Sequence, residues 1–330
     1  MQNTLLTVSV TVLGAFVLAL ILGRVMIPAL RALHVGQSIR EIGPNWHSYK
    51  AGTPTMGGLI FIAASLICIV TGWQTMLDGD YTHLLIFLFA LVFGAIGFLD
   101  DFFKVKYKRN LGLTALQKLL LQLAAAVIYL LLLRWNGNLT NELYIPFFNV
   151  TVTLPWVVYI LLSMFIIVGC VNAVNLTDGI DGLCSGVTMP VMLFFGAAAM
   201  ALHQTGAGLF ALALLGGLGG YLCYNFHPAM CFMGDTGSLF LGGAVCGLAF
   251  ALDMPLILIP VGIIYIIETL SDIIQVTYFK LSHGKRIFKM APIHHHLEKC
   301  GWKEEKIFAV FVLITVVFCL LAWWGIQGLL

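Results

Sequence analysis

Carboxylates collect at the ends of long apolar segments in this sequence. Asp100 and Asp101 form one group, Asp178 and Asp181 form a second, and Asp235 opens a further segment. A charged side chain in a bilayer costs a few kcal/mol on insertion scales, so acids kept beside apolar segments indicate a functional site. With basic residues and histidines nearby, they predict a site at a membrane surface that handles a metal ion and phosphate groups.

Asp100, Asp101 and Lys104 make up the first cluster. On a helix, Asp100 is four residues and Asp101 three residues from the lysine, so either acid can pair with it. The two acids point about 100° apart around the helix axis, and we expect them to have different partners. A capped helix end with surface ion pairs explains the same residues, and the spacing alone leaves both interpretations open.

A stripe of amide and carboxylate side chains lies at the end of another apolar segment. Asn172, Asn175, Asp178 and Asp181 recur every three residues, and Gly179 lies among them. Glycine allows main-chain N–H groups to approach a ligand closely, which favours a binding turn. A simple polar turn, with the aspartates as turn formers, is the alternative.

Asn225, Phe232 and Asp235 occupy the next polar connection. Asp235 stands where a helix begins, and aspartate is a common N-cap residue. It equally suits Mg²⁺, which takes one or two carboxylates and completes its shell with water and substrate phosphates. Both interpretations of Asp235 stay open at this point.

Three consecutive histidines, His294, His295 and His296, follow Pro292 in the most basic connection. They lack the i, i+4 spacing of a helical zinc pair, so contact with phosphate or hydrogen bonding is favoured over a transition-metal site. Polar residues near the end of the preceding apolar segment either stabilise a helix break or contact a ligand. These residues are Glu268, Asp272 and Gln275.

The elements that must position these groups are membrane-spanning helices. The sequence is 60% hydrophobic and only 10% charged, against about 25% charged residues in soluble domains, and apolar runs of about 20 residues recur along it. We predict an all-α polytopic membrane protein in which residues 1–330 form a single integral domain. The ten predicted spans are 4–23, 56–73, 84–99, 113–133, 154–174, 183–202, 207–224, 237–252, 255–279 and 306–325.

Basic residues set the expected orientation, because cytoplasmic connections of membrane proteins are rich in Lys and Arg. Every basic residue except Arg134 falls on one set of connections, which also carries the acidic clusters and the histidines. We therefore expect an active-site cleft at the cytoplasmic face and both termini on the extracytoplasmic side. On that opposite side, the segment Val150-Thr-Val-Thr153 after Pro146 suggests a small hairpin.

The composition disfavours several classes of function. The net charge is only +2 and basic residues do not alternate with aromatic ones, so nucleic acid is not an expected partner. The sequence lacks the P-loop of an ATP-driven pump and the Ser-His-Asp or His-Glu-x-x-His patterns of peptidases. Its eight cysteines form no Cys-x-x-Cys pair, which predicts buried thiols rather than disulfides or a zinc site.

Five segments together resemble the polyprenyl-phosphate N-acetylhexosamine-1-phosphate transferase superfamily, in its order and spacing. They are Lys50-Ala-Gly-Thr-Pro-Thr-Met-Gly-Gly58, Asp100-Asp-Phe-Phe-Lys104 with Asn110-Leu-Gly112, Asn175-Leu-Thr-Asp-Gly-Ile-Asp-Gly182, Phe232-Met-Gly-Asp-Thr-Gly-Ser238 and Ala291-Pro-Ile-His-His-His-Leu-Glu298 with Gly301-Trp302. The acidic motifs identify the superfamily. The first and last segments point to its phospho-N-acetylmuramoyl-pentapeptide transferase branch, and Ile180, where leucine is common, is a conservative departure.

The resemblance implies a reaction in peptidoglycan synthesis. Phospho-MurNAc-pentapeptide would pass from UDP-MurNAc-pentapeptide to undecaprenyl phosphate, releasing UMP and forming lipid I. The implied cofactor is Mg²⁺, and the implied location is the bacterial inner (plasma) membrane, with the lipid bilayer as a further partner. A sister enzyme using UDP-N-acetylglucosamine would share the acidic motifs, and a transporter with intramembrane carboxylates is a remote alternative. The oligomeric state stays open, with a homodimer as one option.

The resemblance also implies roles for individual residues. Those with implied catalytic roles are Asp100, Asp101, Lys104, Asp178, Asp235 and His294. Those with implied substrate contacts are Lys50, Thr55, Asn172, Asn175, Gly179, Asp181, Asn225, Phe232, Gln275, His295 and His296. Asp235 would bind Mg²⁺, Asp100 would handle the lipid phosphate, and Phe232 would stack on the uracil. Whether Asp100 is a base stays open, since a phosphate monoester is already largely ionised near pH 7.

Overall fold

A computed structural model describes residues 2–32, 52–107 and 112–330 of the chain. Lys50 and Asn110 from the sequence motifs lie outside these residues. The helices are α1 (Gln2–Ala32), α2 (Gly58–Ser65), α3 (Ile67–Thr71), α4 (Trp73–Leu77), α5 (Thr82–Lys106), α6 (Ala115–Trp135), α7 (Trp156–Thr177), α8 (Leu183–Ala201), α9 (Thr205–Asn225), α10 (Gly234–Ala251), α11 (Leu258–Val261), α12 (Ile263–Leu281), α13 (Ile293–Lys299) and α14 (Glu304–Gly325). A 3-10 turn covers Pro255–Ile257, and the two strands are β1 (Glu142–Ile145) and β2 (Val150–Thr153).

Eight helices in the described part of the chain are long and apolar enough to cross a membrane, namely α1, α5 to α10 and α14. This confirms a polytopic helical membrane protein. The predicted span 56–73 is instead a shorter apolar segment made of α2 and α3. The predicted span 255–279 is not straight, because the chain bends by 80° between Val261 and Ile263. Pro260 lacks a main-chain donor and Gly262 favours helix weakly, which accounts for a bend at this point.

The predicted hairpin is confirmed. Strands β1 and β2 pair antiparallel, with Glu142 opposite Thr153. The hydroxyl of Tyr144 donates to the carbonyl of Gly325, at the end of α14, over 3.0 Å. Asp253, just after α10, accepts a bond of 2.6 Å from the hydroxyl of Thr140, and burial raises the pKa of the Asp253 carboxyl. The hairpin is thus fastened to the ends of α10 and α14.

Helix α10 lies at the centre of the fold. Of the most apolar 18 residues in each helix, 89% are buried in α10 and 17% in α1. Helix α10 is therefore enclosed by other helices, and α1 lies at the periphery. Glycines let α10 approach its neighbours: Gly243 faces Ala90 of α5, and a side chain at Gly237 would collide with the Cα atom of Gly58 in α2. Gly243 and Gly247 stand four residues apart on α10, and this small-x-x-x-small spacing lets helix backbones approach closely.

The ends of the helices are set by local chemistry as well as by packing. The side chain of Thr114 accepts from the N–H of Gln117 and the side chain of Gln117 accepts from the N–H of Thr114, which forms a capping box at the start of α6. On α9, Gly216 and Gly220 lie against the carbonyls of Val12 and Phe16 in α1. The Gly216-x-x-x-Gly220 pair therefore marks a tight contact between α1 and α9.

We predict that Gly97→Ala destabilises the protein. A Cβ atom at Gly97 in α5 would collide with the carbonyl of Asp235 at the start of α10, and such overpacking costs about 1–3 kcal/mol. Gly169→Ala in α7 is the matched control, because a Cβ atom there meets open space. Thermal unfolding of the detergent-purified variants measures the difference. Equal melting temperatures for both variants would contradict the close α5–α10 contact.

Candidate active site

The two acids at the end of α5 point to different partners, as predicted. Asp100 is buried, and its carboxylate pairs with the Lys104 ammonium at 2.5 Å and accepts from the N–H of Leu113 at 2.8 Å. Gly112 packs so closely that a Cβ atom would collide with the carboxylate of Asp100. The Lys104 ammonium lies 3.9 Å from Asp101, so the lysine favours Asp100.

Asp101 caps the N-terminus of α10 from the neighbouring helix. Its carboxylate accepts the N–H of Thr236 at 2.9 Å, the hydroxyl of Thr236 at 2.8 Å and the N–H of Asp235 at 3.3 Å. The residue at the N-cap position is Met233, whose side chain makes no capping bond. The interpretation of Asp235 as the N-cap is therefore wrong, because Asp101 supplies the acceptor that the first turn of α10 requires.

Asp235 joins three helices at the centre of the site. One carboxylate oxygen pairs with Lys104 at 2.8 Å and with Lys118 of α6 at 3.1 Å. The other oxygen accepts from the side-chain amide of Asn175 in α7 at 2.9 Å. That amide also donates to the Ser238 hydroxyl at 2.7 Å. The Asp235 side chain is 20% exposed, so it is accessible to a ligand while its neighbours hold it in place.

The structure divides the amide-carboxylate stripe among different surroundings. Asn175 reaches Asp235, whereas the Asn172 amide donates to Gln122 of α6 at 2.8 Å. Asp178 follows the last turn of α7, and its N–H donates to the carbonyl of Asn175 at 3.3 Å. Asp181 lies in the same turn between α7 and α8 and is buried. The three-residue spacing thus ends with α7, and Asn175 is the member of the stripe that bonds to Asp235.

Asp181 belongs to a second polar network. Its carboxylate accepts from the N–H of Ala229 at 2.9 Å and bonds with Nδ1 of His227 at 3.0 Å. Its N–H donates to the carboxylate of Glu304 in α14 at 3.0 Å. A pocket of about 460 Å³ adjoins this network and is lined by His227, Trp302 and Glu304, among others. The network links the turn after α7 to the connections before α10 and α14.

The connection between α9 and α10 is fixed from both sides. Asn225 is buried, and its side chain donates to the carbonyl of Cys231 at 3.0 Å and accepts from the Ser185 hydroxyl at 3.1 Å. Phe232 is half-buried, and its N–H donates to the carbonyl of Pro54 at 2.9 Å. Burial raises the pKa of the Cys231 thiol to about 12, so this thiol stays neutral.

Thr55 is buried beside the start of α10. A Cβ atom at Gly234 would lie 2.7 Å from the Thr55 hydroxyl and 2.6 Å from the Asp101 carboxylate. Gly234 also has a φ of +69°, which favours glycine. The segment that carries Thr55 is therefore brought close to Asp101.

The three histidines form part of the short helix α13 and have separate partners. His294 is buried and bonds through Nδ1 with Glu268 of α12 at 2.9 Å. His295 bonds with Glu298 at 2.7 Å, and Nδ1 of His296 accepts from the N–H of Lys289 at 3.0 Å. Gln275 of α12 is also buried, and its side-chain oxygen accepts from the N–H groups of Ile287 and Phe288 at 3.1 and 2.9 Å.

Two groups of side chains in the described residues bring enough donor atoms together to hold a metal ion. The donor atoms of Asp100, Asp101 and Asp235 lie within 4.8 Å of one another, and so do those of Asp181, His227 and Glu304. The first set is all oxygen, which suits Mg²⁺, whereas the imidazole in the second set suits transition metals. The first group therefore fits the divalent cation that the sequence resemblance implies.

Several residues at the site were not predicted from sequence. Lys118 and Gln122 stand four residues apart in α6, on the face that meets Asp235 and Asn172. A lysine and a glutamine at helical spacing inside an apolar segment are the signal that identifies them. His227 and Glu304 give no comparable signal, because contact with Asp181 joins residues that lie far apart in the chain.

Comparison with known proteins places the chain in a family. Residues 83–253 match the model of glycosyl transferase family 4, and residues 50–62 match signature 1 of phospho-N-acetylmuramoyl-pentapeptide-transferase. The phospho-N-acetylmuramoyl-pentapeptide-transferase of Clostridium acetobutylicum is 48% identical over 314 residues, covering 94% of this chain and 96% of that protein. Those of Carboxydothermus hydrogenoformans and Clostridium perfringens strain 13 are 48% and 49% identical, covering 95% and 93% of this chain and 97% and 95% of those proteins. The chain belongs to the phospho-N-acetylmuramoyl-pentapeptide transferase family.

Proposed function

We propose that this protein transfers phospho-MurNAc-pentapeptide from UDP-MurNAc-pentapeptide to undecaprenyl phosphate, releasing UMP and forming lipid I. The observation that carries the proposal is the cluster in which Asp235 meets Lys104 and Lys118 beside two further acids. It stands in a chain that matches relatives named for this transfer along nearly their whole length.

The proposed chemistry joins two anionic phosphates. An oxygen of the lipid phosphate bonds to the donor phosphorus that carries the sugar, and the bond from that phosphorus to UMP breaks, with UMP taking the electron pair. Positive charge at the reacting phosphates lowers the barrier to such a transfer. Lys104 and Lys118, both partly buried, are placed to supply that charge.

Mg²⁺ is the proposed cofactor, and Asp235 is its proposed ligand, with Asp100 and Asp101 beside it. When bound, the ion would neutralise charge on the diphosphate of the donor. Three carboxylates and two ammonium groups leave a formal charge of −1, which favours binding of a cation. Asp101 keeps its role at the start of α10, so Asp100 remains to orient the lipid phosphate.

The donor nucleotide is proposed to bind along the turn after α7. Asn175, Asp178, Gly179, Asp181 and Phe232 would form its pocket. Asn172 and Asn225 would support the walls, because their amides bond to Gln122 and to the carbonyl of Cys231. Thr55, His295, His296 and Gln275 would act at the sugar-phosphate end, together with Lys50 outside the described residues.

We further propose ten membrane segments, a cleft at the cytoplasmic face of the bacterial plasma membrane, and both termini on the other side. The eight long helices, the α2–α3 segment and the bent pair at Gly262 support the count. The basic connections support the sidedness. The bond from Tyr144 of the hairpin to Gly325 supports a C-terminus remote from Asp235.

The donor specificity can be tested directly. Purified protein with UDP-MurNAc-pentapeptide, undecaprenyl phosphate and Mg²⁺ is expected to release UMP, and removal of Mg²⁺ with a chelator is expected to stop that release reversibly. UDP-N-acetylglucosamine is expected to give no UMP, because residues 50–62 carry the signature of the pentapeptide transferases. Release from UDP-N-acetylglucosamine alone would favour the sister enzyme, and Mg²⁺-independent solute uptake would favour a transporter.

Loss of the Asp235 carboxylate is expected to lower turnover, whereas loss of the Asp101 carboxylate is expected to lower stability. Asp235→Asn should lower turnover on the order of 100-fold or more, as the loss of an electrostatic catalytic group does, with little change in melting temperature. Asp101→Ala should lower stability by about 1–2 kcal/mol, because it removes the acceptor at the start of α10. UMP release and thermal unfolding are measured on both variants. Unfolding of Asp235→Asn would restore a structural role for that residue.

Lys118 is expected to contribute to turnover although sequence analysis did not select it. Lys118→Gln removes the second ammonium group on Asp235 and should lower kcat/KM on the order of 10-fold or more. Lys106→Gln is the control, because the Lys106 ammonium lies over the Phe102 ring, 5.7 Å from its centre. Equal activities of the two variants would remove Lys118 from the site.

A further inference from the structure

Glu268 and His294 form a buried pair that joins α12 to α13. Nδ1 of His294 lies 2.9 Å from a carboxylate oxygen of Glu268, and the two side chains are 1% and 0% exposed. A buried carboxylate needs a partner, and a histidine that bonds to it gains a fixed ring orientation. The pair is therefore a hydrogen-bonded polar contact of the interior and not a surface contact.

The other polar atom of each side chain is buried without a hydrogen-bond partner among the described residues. These atoms are Nε2 of His294 and Oε1 of Glu268. The imidazole lies against Gly179, where a Cβ atom would collide with Nε2. The free nitrogen thus faces the turn between Asp178 and Asp181, and glycine at position 179 provides the room for it.

The bond to Glu268 determines which nitrogen of His294 carries a proton. With Glu268 ionised, its carboxylate only accepts hydrogen bonds, and Nδ1 is then the donor. Nε2 is then the atom that remains for a ligand, in the arrangement by which a third group orients a catalytic histidine. Glu268 sets both the direction and the tautomer of the ring without touching the ligand itself.

The same face of α12 also bonds to the connection between α12 and α13 at a second place. Gln275, two turns beyond Glu268, accepts the N–H groups of Ile287 and Phe288. The Ser271 hydroxyl between them donates to the carbonyl of Glu268. The polar face of α12 therefore fixes the connection that leads to His294, and the Glu268 side chain acts on the imidazole rather than on the bend at Gly262.

We infer that Glu268 is a positioning residue for the proposed transfer. It holds His294 with Nδ1 protonated, so that Nε2 is directed at the Asp178–Asp181 turn, where the donor nucleotide is proposed to bind. The inference rests on the proposed function, and it names a residue that acts through His294 rather than on the substrate.

A double-mutant cycle tests this inference in the full-length protein. Glu268→Leu is expected to lower kcat/KM for UDP-MurNAc-pentapeptide by about 10- to 100-fold, as the loss of a group that orients a functional histidine does. Glu268→Gln should recover most of the loss, because its amide oxygen still accepts from Nδ1. Asp272→Asn, a half-buried acid one turn further along α12, is the control and should retain the activity.

The decisive comparison is made in the His294→Leu background. If Glu268 acts through His294, adding Glu268→Leu produces less than a twofold further loss of kcat/KM. The double variant should also melt no lower than Glu268→Leu alone, because no buried partner is left unpaired. Equal losses in both backgrounds would assign Glu268 to the helix break and overturn the inference. No UMP release by the unmodified protein would instead overturn the proposed function on which it rests.

Discussion

The rest of the site depends on charge neutralisation where α5, α6 and α10 meet. Three carboxylates stand at the ends of apolar helices, and two lysines partly neutralise them. A buried acid without such partners is strongly unfavourable. The cluster therefore holds only if Lys104 and Lys118 reach the same oxygen of Asp235, which requires α5 and α6 to converge on the start of α10.

Close main-chain packing makes this convergence possible. Gly97, one turn before Asp100 in α5, lies against the carbonyl of Asp235. Gly58 of α2 lies against Gly237. A larger residue at either place would move the start of α10 away from the acids. The apolar packing thus also sets the geometry of the polar cluster, because the distance between the helix axes fixes the distance between the charges.

Sequence patterns predicted the features that depend on a single segment of the chain. Apolar length predicted most of the spans, the segment Val150-Thr-Val-Thr153 after Pro146 predicted the hairpin, and helical spacing predicted the pair of Asp100 with Lys104. Contacts between distant segments were not predictable, because they depend on how helices pack. Asp101 lies 135 residues from Thr236 in the chain, and no spacing rule connects them. For the same reason, sequence left the role of Asp235 open, since an N-cap and a metal ligand both place aspartate at a helix start.

The turn after α7 is the point at which the separate polar networks meet. Asp181 is held by His227 and Glu304, whereas Gly179 lies against the imidazole that Glu268 orients. Asn175, one turn earlier, bonds to Asp235 itself. Movement of this turn would therefore disturb hydrogen bonds to α10 and α14 and the contact of Gly179 with the His294 imidazole in α13. Asn175 joins this turn to Asp235, so the proposed nucleotide side and the acidic cluster share the last turn of α7.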